Sequence, residues 1–285
     1  MTNANPVVDF GDAPHTRRGH TVAKIHYGAK KSLGQHFLMH ARTAERIADA
    51  AEIEGRTVLE IGPGTGMLTR PLIARAKNVI AVEADRALAQ ALRETFASEI
   101  ASGRLEVVAG DIRAFDPGSI REPYALVANI PYYITGEIIR TFLGAKKKPG
   151  SMTLLVQKEV AERIARSKKE SLLSIAVKTY GTPKYLFTVP KGAFVPAPSV
   201  DSAVLTITDI RMPFASAGEE TRFFEVLRAG FAHKRKLLAG NLSVIAGRET
   251  LMRAFERAGI AEKARAEDVP LASWRALARM LAVGE

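Results

Sequence analysis

The apolar positions of this chain follow two periods. Short runs bounded by turn residues, Thr57 to Ile61, Asn78 to Glu83, Leu105 to Ala109, Tyr124 to Asn129 and Ser151 to Gln157, have the length and apolar density of buried strands. Two more such runs lie over 184–189 and 202–208. Between most of them the period lengthens to that of a helix. Leu68, Leu72, Ile73 and Ala76 share one helical face, as do Ile134, Ile138, Ile139 and Phe142 over 134–143, and Val160, Ala161 and Ile164 over 158–165. Strand and helix in alternation predict a mostly parallel sheet covered by helices, a Rossmann-like, doubly wound α/β core over 30–210. The loop from Pro190 to Pro198 is rich in proline and is expected to resist helix and ladder alike, forming a stiff wall.

Past Met212 the alternation stops. Amphipathic patterns over 222–232, 249–258 and 271–281 predict a smaller helical domain over 215–285, divided from the core by the segment Met212-Pro213 to Gly218. Trp274, the single Trp, shares helical spacing with Leu271, Leu277 and Leu281 and is assigned to core packing. Residues 1–29 are polar, aperiodic and rich in Gly, Pro and charge, and are expected to form a flexible basic tail.

Four strand ends carry chemistry. The first runs into Glu60-Ile61-Gly62-Pro63-Gly64-Thr65-Gly66, where glycines permit a tight turn and let a ligand reach the backbone. The spacing is Gly-x-Gly-x-Gly, with Met67 where a dinucleotide fingerprint has its third glycine, so it argues against NAD and for an adenosyl amino acid. Glu83 closes the second strand, 17 residues past Gly66, and fits an acid accepting both ribose hydroxyls. Asp111 follows the third and could accept from an adenine amine. The fourth ends in Asn129-Ile130-Pro131-Tyr132, which offers a side-chain carbonyl, a backbone carbonyl with no following N–H to bond, and an aromatic plate. Those are the parts of a pocket for a flipped-out amino base. Singly, each is also an ordinary helix cap or strand exit. In order at four consecutive strand ends, they outline one crevice.

Composition narrows the reading. The formal charge of +11 favours a polyanionic partner, RNA above all. Basic residues cluster at Arg17, Arg18, Lys24, Lys30 and Lys31, at Lys146-Lys147-Lys148, at Lys168-Lys169 and at His233-Lys234-Arg235-Lys236, and are read as a phosphate track flanking the pocket. With no cysteine and six scattered histidines, disulfides and thiolate metal sites are excluded and the chemistry is expected to be metal-free. No run approaches the roughly 18 apolar residues of a membrane span, and no export signal opens the chain, so a cytoplasmic protein is expected.

The motifs together resemble the ribosomal RNA small-subunit adenine dimethyltransferases. The resemblance runs from Lys30 to about Ala246 and rests on Lys31 to Leu38, Glu60 to Gly66, Glu83, Asp111, Asn129 to Tyr132, Gln157-Lys158-Glu159, Phe194 to Ala203 and Phe231 to Lys236. It implies a two-domain enzyme moving methyl groups from S-adenosylmethionine to N6 of two adjacent adenosines in the 3'-terminal hairpin of small-subunit RNA, within a pre-ribosomal particle and as a monomer. It also implies cofactor contacts at His36, Leu38, Gly62, Gly64, Glu83, Asp111 and Asn129, a target base held at Asn129, Ile130, Pro131 and Tyr132 and sandwiched by Tyr132 and Phe194, and RNA contacts at Lys234, Arg235 and Lys236. Departures exist: the long segment before Lys30, Lys169 to Ser174 in place of a Tyr-Gly-Arg-Leu-Ser type sequence, and Ile130 where Leu is usual. Ile at that position also occurs in the erythromycin-resistance methyltransferases of large-subunit RNA, which remain an alternative, as does a catalytically silent RNA-binding factor of the same fold.

Overall fold

The computed structural model describes residues 34–281. The tail and its basic residues, together with Lys31 to Leu33 of the first motif, lie outside them. Seven strands form one sheet: β2 (Thr57–Ile61), β3 (Asn78–Glu83), β4 (Leu105–Ala109), β5 (Tyr124–Asn129), β6 (Ser151–Gln157), β7 (Thr182–Val189) and β9 (Ser202–Thr208), in the order β4-β3-β2-β5-β6-β9-β7. The first five are mutually parallel and β9 is antiparallel to both its neighbours. Strand order reverses between β2 and β5, so a crevice opens there at their C-terminal ends. The fold expectation therefore holds.

Alternation along the strands divides the core into two layers. Val58, Val79, Ala81 and Val127 pack with α1 (Ala41–Ala50), α2 (Thr69–Arg75) and α3 (Arg86–Thr95), beside which α4 (Ala97–Ala101) lies. Leu59, Ile61, Leu126 and Leu154 face α5 (Thr135–Gly144), α6 (Lys158–Ala165) and α7 (Leu172–Tyr180). Because β2 and β5 are covered on both faces, all of β2, Glu60 included, and the first five residues of β5 are buried, and neither strand alternates polar with apolar. Edge strand β7 begins two residues earlier than the sequence pattern suggests, at Thr182, since Pro183 is tolerated at a sheet edge.

A third apolar cluster joins α8 (Ala217–Gly230), α9 (Leu238–Leu242), α10 (Arg248–Ala258) and α11 (Leu271–Leu281), and takes in Ile175 of α7. Trp274 is fully buried in it. The helix expected from Arg222 starts at Ala217, where Ser216 accepts the Glu219 N–H at 3.2 Å and nucleates a first turn with no apolar face to read.

The proline-rich loop is not free of regular structure. Between Pro190 and Pro196 it makes a 3-10 turn over Lys191–Ala193 and then a two-residue strand, β8 (Phe194–Val195), antiparallel to β1 (Phe37–Leu38). The residues between these prolines keep their N–H groups, so a short ladder is open to them.

Candidate functional site

The glycine loop after β2 is built by its left-handed residues. Gly62, Gly64 and Gly66 have φ of 67°, 57° and 81°. A Cβ on Gly66 would stand 2.6 Å from the Phe96 ring, and one on Gly64 would stand 3.0 Å from Phe37. The loop thus packs tightly against side chains while Gly62 and Gly64 line the crevice.

At the end of β3, Glu83 is nearly buried, and its carboxylate is aimed by two backbone donors: Gly64 N–H to Oε2 at 3.0 Å and Asp85 N–H to Oε1 at 2.9 Å. Burial pushes its pKa up, and those amides work against the shift. Each oxygen keeps acceptor capacity for a further hydroxyl. Glu60, one strand over, contrasts with it. It is 1% exposed, and neither carboxylate oxygen has a hydrogen-bond partner among the described residues, nor does the Thr69 hydroxyl. Burial raises its pKa to about 8. Thr69, near enough to favour the charged form though outside hydrogen-bonding geometry, opposes this, and the Glu83 charge adds to it.

Asp111, after β4, caps the single turn Ile112–Ala114 and is gripped by Arg113, whose guanidinium holds its pKa below the usual carboxylate range. Asn129 closes β5. Its Nδ2 donates to the His36 carbonyl at 3.1 Å, which leaves Oδ1 as the acceptor. Ile130 is buried with its N–H on the Leu155 carbonyl, and its backbone lines the crevice with Pro131 and Tyr132. The Tyr132 hydroxyl pairs with Ser202 Oγ at 2.7 Å, and one face of its ring lies along His36, with centroids 5.7 Å apart and planes 25° from parallel. His36 Nδ1 is 2.7 Å from the Pro196 carbonyl, so the first motif and the proline loop are tied beside the glycine turn.

His36, Gly62, Gly64, Glu83, Asp111 and Asn129 to Tyr132 thus line one crevice. Leu38 and Phe194 do not. Leu38 is 4% exposed and Phe194 2%, both in the core beneath α1, because the β1–β8 ladder pairs them and turns both side chains inward. The expected sandwich of a base between Tyr132 and Phe194 is therefore corrected: Phe194 has no open face, and Tyr132 shares one of its faces with His36. Lys234, Arg235 and Lys236 are exposed on the turn between α8 and α9, away from the crevice lining.

The Lys146 to Lys148 cluster is also corrected. Lys146 to Lys148 precede β6, at the N-terminal edge of the parallel strands, and the Tyr124 hydroxyl at the start of β5 donates to the Lys147 carbonyl at 3.2 Å. The crevice lies at the other edge, about 16 Å away at roughly 3.3 Å per strand residue. The ammonium groups of Lys147 and Lys148 donate to the carbonyls of Ile120 and Ala145, and Lys169 pairs with Glu267. These lysines are engaged by the protein itself.

Three residues at the site escaped sequence reasoning. Ser202 orients Tyr132 across a separation of 70 positions, which no local pattern reveals. Arg113 and the 63% exposed Tyr133 line the mouth; an aromatic adjoining the Asn-Ile-Pro-Tyr loop was the available signal for the latter.

The model of the ribosomal RNA adenine dimethylase family matches residues 27–283. The chain belongs to that family. A ribosomal RNA small subunit methyltransferase A of Dehalococcoides mccartyi is 40% identical over 256 residues, covering 87% of each chain, and one of Bacillus mycoides is 37% identical over 273 residues, covering 91% of this chain and 94% of that one. Among solved structures, a dimethyladenosine transferase from Plasmodium falciparum superposes with a TM-score of 0.73 at 25% identity, over 85% of this chain and 96% of that one. The 23S rRNA methyltransferase ErmE superposes with 0.71 at 29% identity, over 86% and 99%.

Proposed function

We propose that the protein dimethylates N6 of two adjacent adenosines in the 3'-terminal hairpin of small-subunit ribosomal RNA, using S-adenosylmethionine. The observation that carries this is the pairing of an amide-aimed Glu83 beside the glycine turn with Asn129, whose Nδ2 is tied down so that Oδ1 must accept. Relatives at 37–40% identity named as small-subunit enzymes favour that RNA over the large-subunit substrate of ErmE.

The crevice suits the cofactor. Glu83 has spare acceptor capacity for vicinal hydroxyls, Asp111 offers a carboxylate to the adenine end, and the glycine turn allows close backbone approach. When bound, the sulfonium supplies a methyl already activated for displacement. The remaining task is to present a weakly basic amine. Asn129 Oδ1 and the Ile130 carbonyl accept the two N6 hydrogens and favour a pyramidal nitrogen as positive charge develops, which stabilises the transition state more than the ground state. Tyr132, fixed by Ser202 and His36, gives the extruded ring one stacking face, worth about 1–3 kcal/mol. After the first transfer, the single remaining N6 hydrogen needs only one of the two acceptors.

We read residues 30–210 as the methyltransferase domain and 215–285 as a helical RNA-binding domain, working as a cytoplasmic monomer on a pre-ribosomal particle. Among the described residues no helix is long and apolar enough to cross a membrane. The test is methylation of unmodified small-subunit particles followed by mass spectrometry of the terminal hairpin. Two neighbouring dimethyladenosines are expected with the wild type. Asn129→Ala is expected to bind RNA normally and to slow transfer by about 10²–10³, as for loss of one transition-state hydrogen bond. Methylation of large-subunit RNA instead would overturn the reading.

A further inference from the structure

The carboxylate of Asp111 is already largely occupied. Arg113 N–H donates to Oδ1 at 2.9 Å, Arg113 Nε lies 3.0 Å from each oxygen, and a terminal guanidinium nitrogen lies 2.5 Å from Oδ2. Three N–H groups, with the single Nε hydrogen shared between the two oxygens, take up most of the roughly four lone-pair sites a carboxylate offers. Under the proposed function, on which this inference rests, the same oxygens receive the amine of the cofactor's adenine. With at most about one site left, amine and guanidinium compete for one carboxylate, and of the two the guanidinium is the one on a flexible stem.

We propose that Arg113 is a latch between the two substrates: it holds Asp111 while the crevice is empty, and the arriving cofactor adenine displaces it toward the crevice mouth, where it grips an RNA phosphate. The pair is open to water, with side-chain exposures of 53% for Arg113 and 44% for Asp111, and exposed pairs of this kind contribute little stability and open readily. Arg113 lines the mouth beside the exposed Tyr133, so the released group has a short path to anything docking there. Arginine does not lose its proton, so the release is a displacement and not a titration, and its planar fork suits a phosphate better than a lysine would. Cofactor and RNA then bind with positive coupling, equal in both directions. Glu137, which also faces the Arg113 charge, is the competing acceptor for the freed guanidinium.

The test measures binding, not turnover. Affinity of the full chain for a small-subunit terminal hairpin is followed across a range of salt, with and without S-adenosylhomocysteine, for the wild type, Arg113→Ala and Asp111→Ala. With the wild type, S-adenosylhomocysteine is expected to tighten RNA binding about three- to tenfold and to steepen the salt slope by the equivalent of one neutralised phosphate, about 0.7–0.9. Arg113→Ala is expected to bind S-adenosylhomocysteine at least as tightly and to show one slope with or without it. Asp111→Ala is expected to lose affinity for S-adenosylhomocysteine and, with Arg113 already free, to show the steeper slope when empty. Equal slopes in the loaded and empty wild type, as capture by Glu137 would give, or undiminished coupling in Arg113→Ala, overturn the latch alone. Unchanged S-adenosylhomocysteine affinity in Asp111→Ala overturns the adenine contact and the latch with it.

Discussion

Two carboxyls on neighbouring strands show how a single residue's partners set its chemistry. Glu83 is buried but receives two backbone N–H groups, whereas Glu60 is buried and receives none. Its pKa of about 8 keeps Glu60 protonated at neutral pH, beside a glycine loop that needs Glu83 as an acceptor. Between its unfolded value of 4.5 and about 8 the folded state binds a proton that the unfolded state has lost, so this stabilising contribution is complete below pH 4.5 and is lost as pH rises through 8. Glu60→Gln keeps the shape and removes the titration. Denaturation midpoints of the wild type should fall from about pH 6 to about pH 9 while those of Glu60→Gln fall much less, a divergence of up to a few kcal/mol. Parallel curves would mean that Glu60 finds a partner in solution. Glu83 shifts in the same direction, also through burial.

At the scale of elements, the glycine turn joins stability to the site. Gly66 does not itself line the crevice, yet its left-handed backbone and its close approach to Phe96 fix the turn that carries Gly62 and Gly64. Gly66→Ala is expected to cost about 1–3 kcal/mol in chemical denaturation through strain and overpacking, and to weaken cofactor binding in calorimetry without altering any residue that lines the crevice. Unchanged stability would show that the loop adopts another path. The elements themselves were legible because β2 to β6 are short apolar runs and their helices carry one apolar face each. The crevice was legible because its acids and amide stand at consecutive strand ends. What escaped depends on pairing across long separations. Phe194 reads as a wall of the pocket until β8 pairs with β1 and turns it inward, and nothing local predicts a ladder that sets Phe37 against Val195 and Leu38 against Phe194. The departure at Lys169 to Ser174 also has a structural account. Ser171 and Ser174 form a reciprocal cap on α7, and Glu170 takes the Ser174 hydroxyl at 2.7 Å and Lys178 at 2.6 Å, so this sequence starts the helix by a different network.

For the whole molecule, a net charge of +11 says only that a polyanion is favoured; placement decides which residues meet it. The fold sends Lys146 to Lys148 to the strand ends opposite the crevice and engages Lys169 with Glu267, which a linear count of clusters cannot reveal. Lys234, Arg235 and Lys236 are different. They are exposed on a turn that Asn241 pins by donating to the carbonyls of Gly230 at 2.6 Å and His233 at 3.1 Å, so their backbone is held while their side chains stay in solvent. If this turn meets phosphates while Asn129 to Tyr132 read the base, replacing all three by Gln should weaken cognate and unrelated RNA alike. The salt slope should become shallower by about 0.7–0.9 for each phosphate no longer neutralised, and selectivity for adenine should survive. Because the pinning amide is untouched, the thermal midpoint should move little. Replacing Lys146 to Lys148 in the same way should leave affinity and slope nearly unchanged, since that loop lies at the far ends of the strands. Equal losses of affinity from the two triple variants would mean that RNA also reaches the strand ends opposite the crevice, and the division between a crevice that selects and a turn that holds would be wrong.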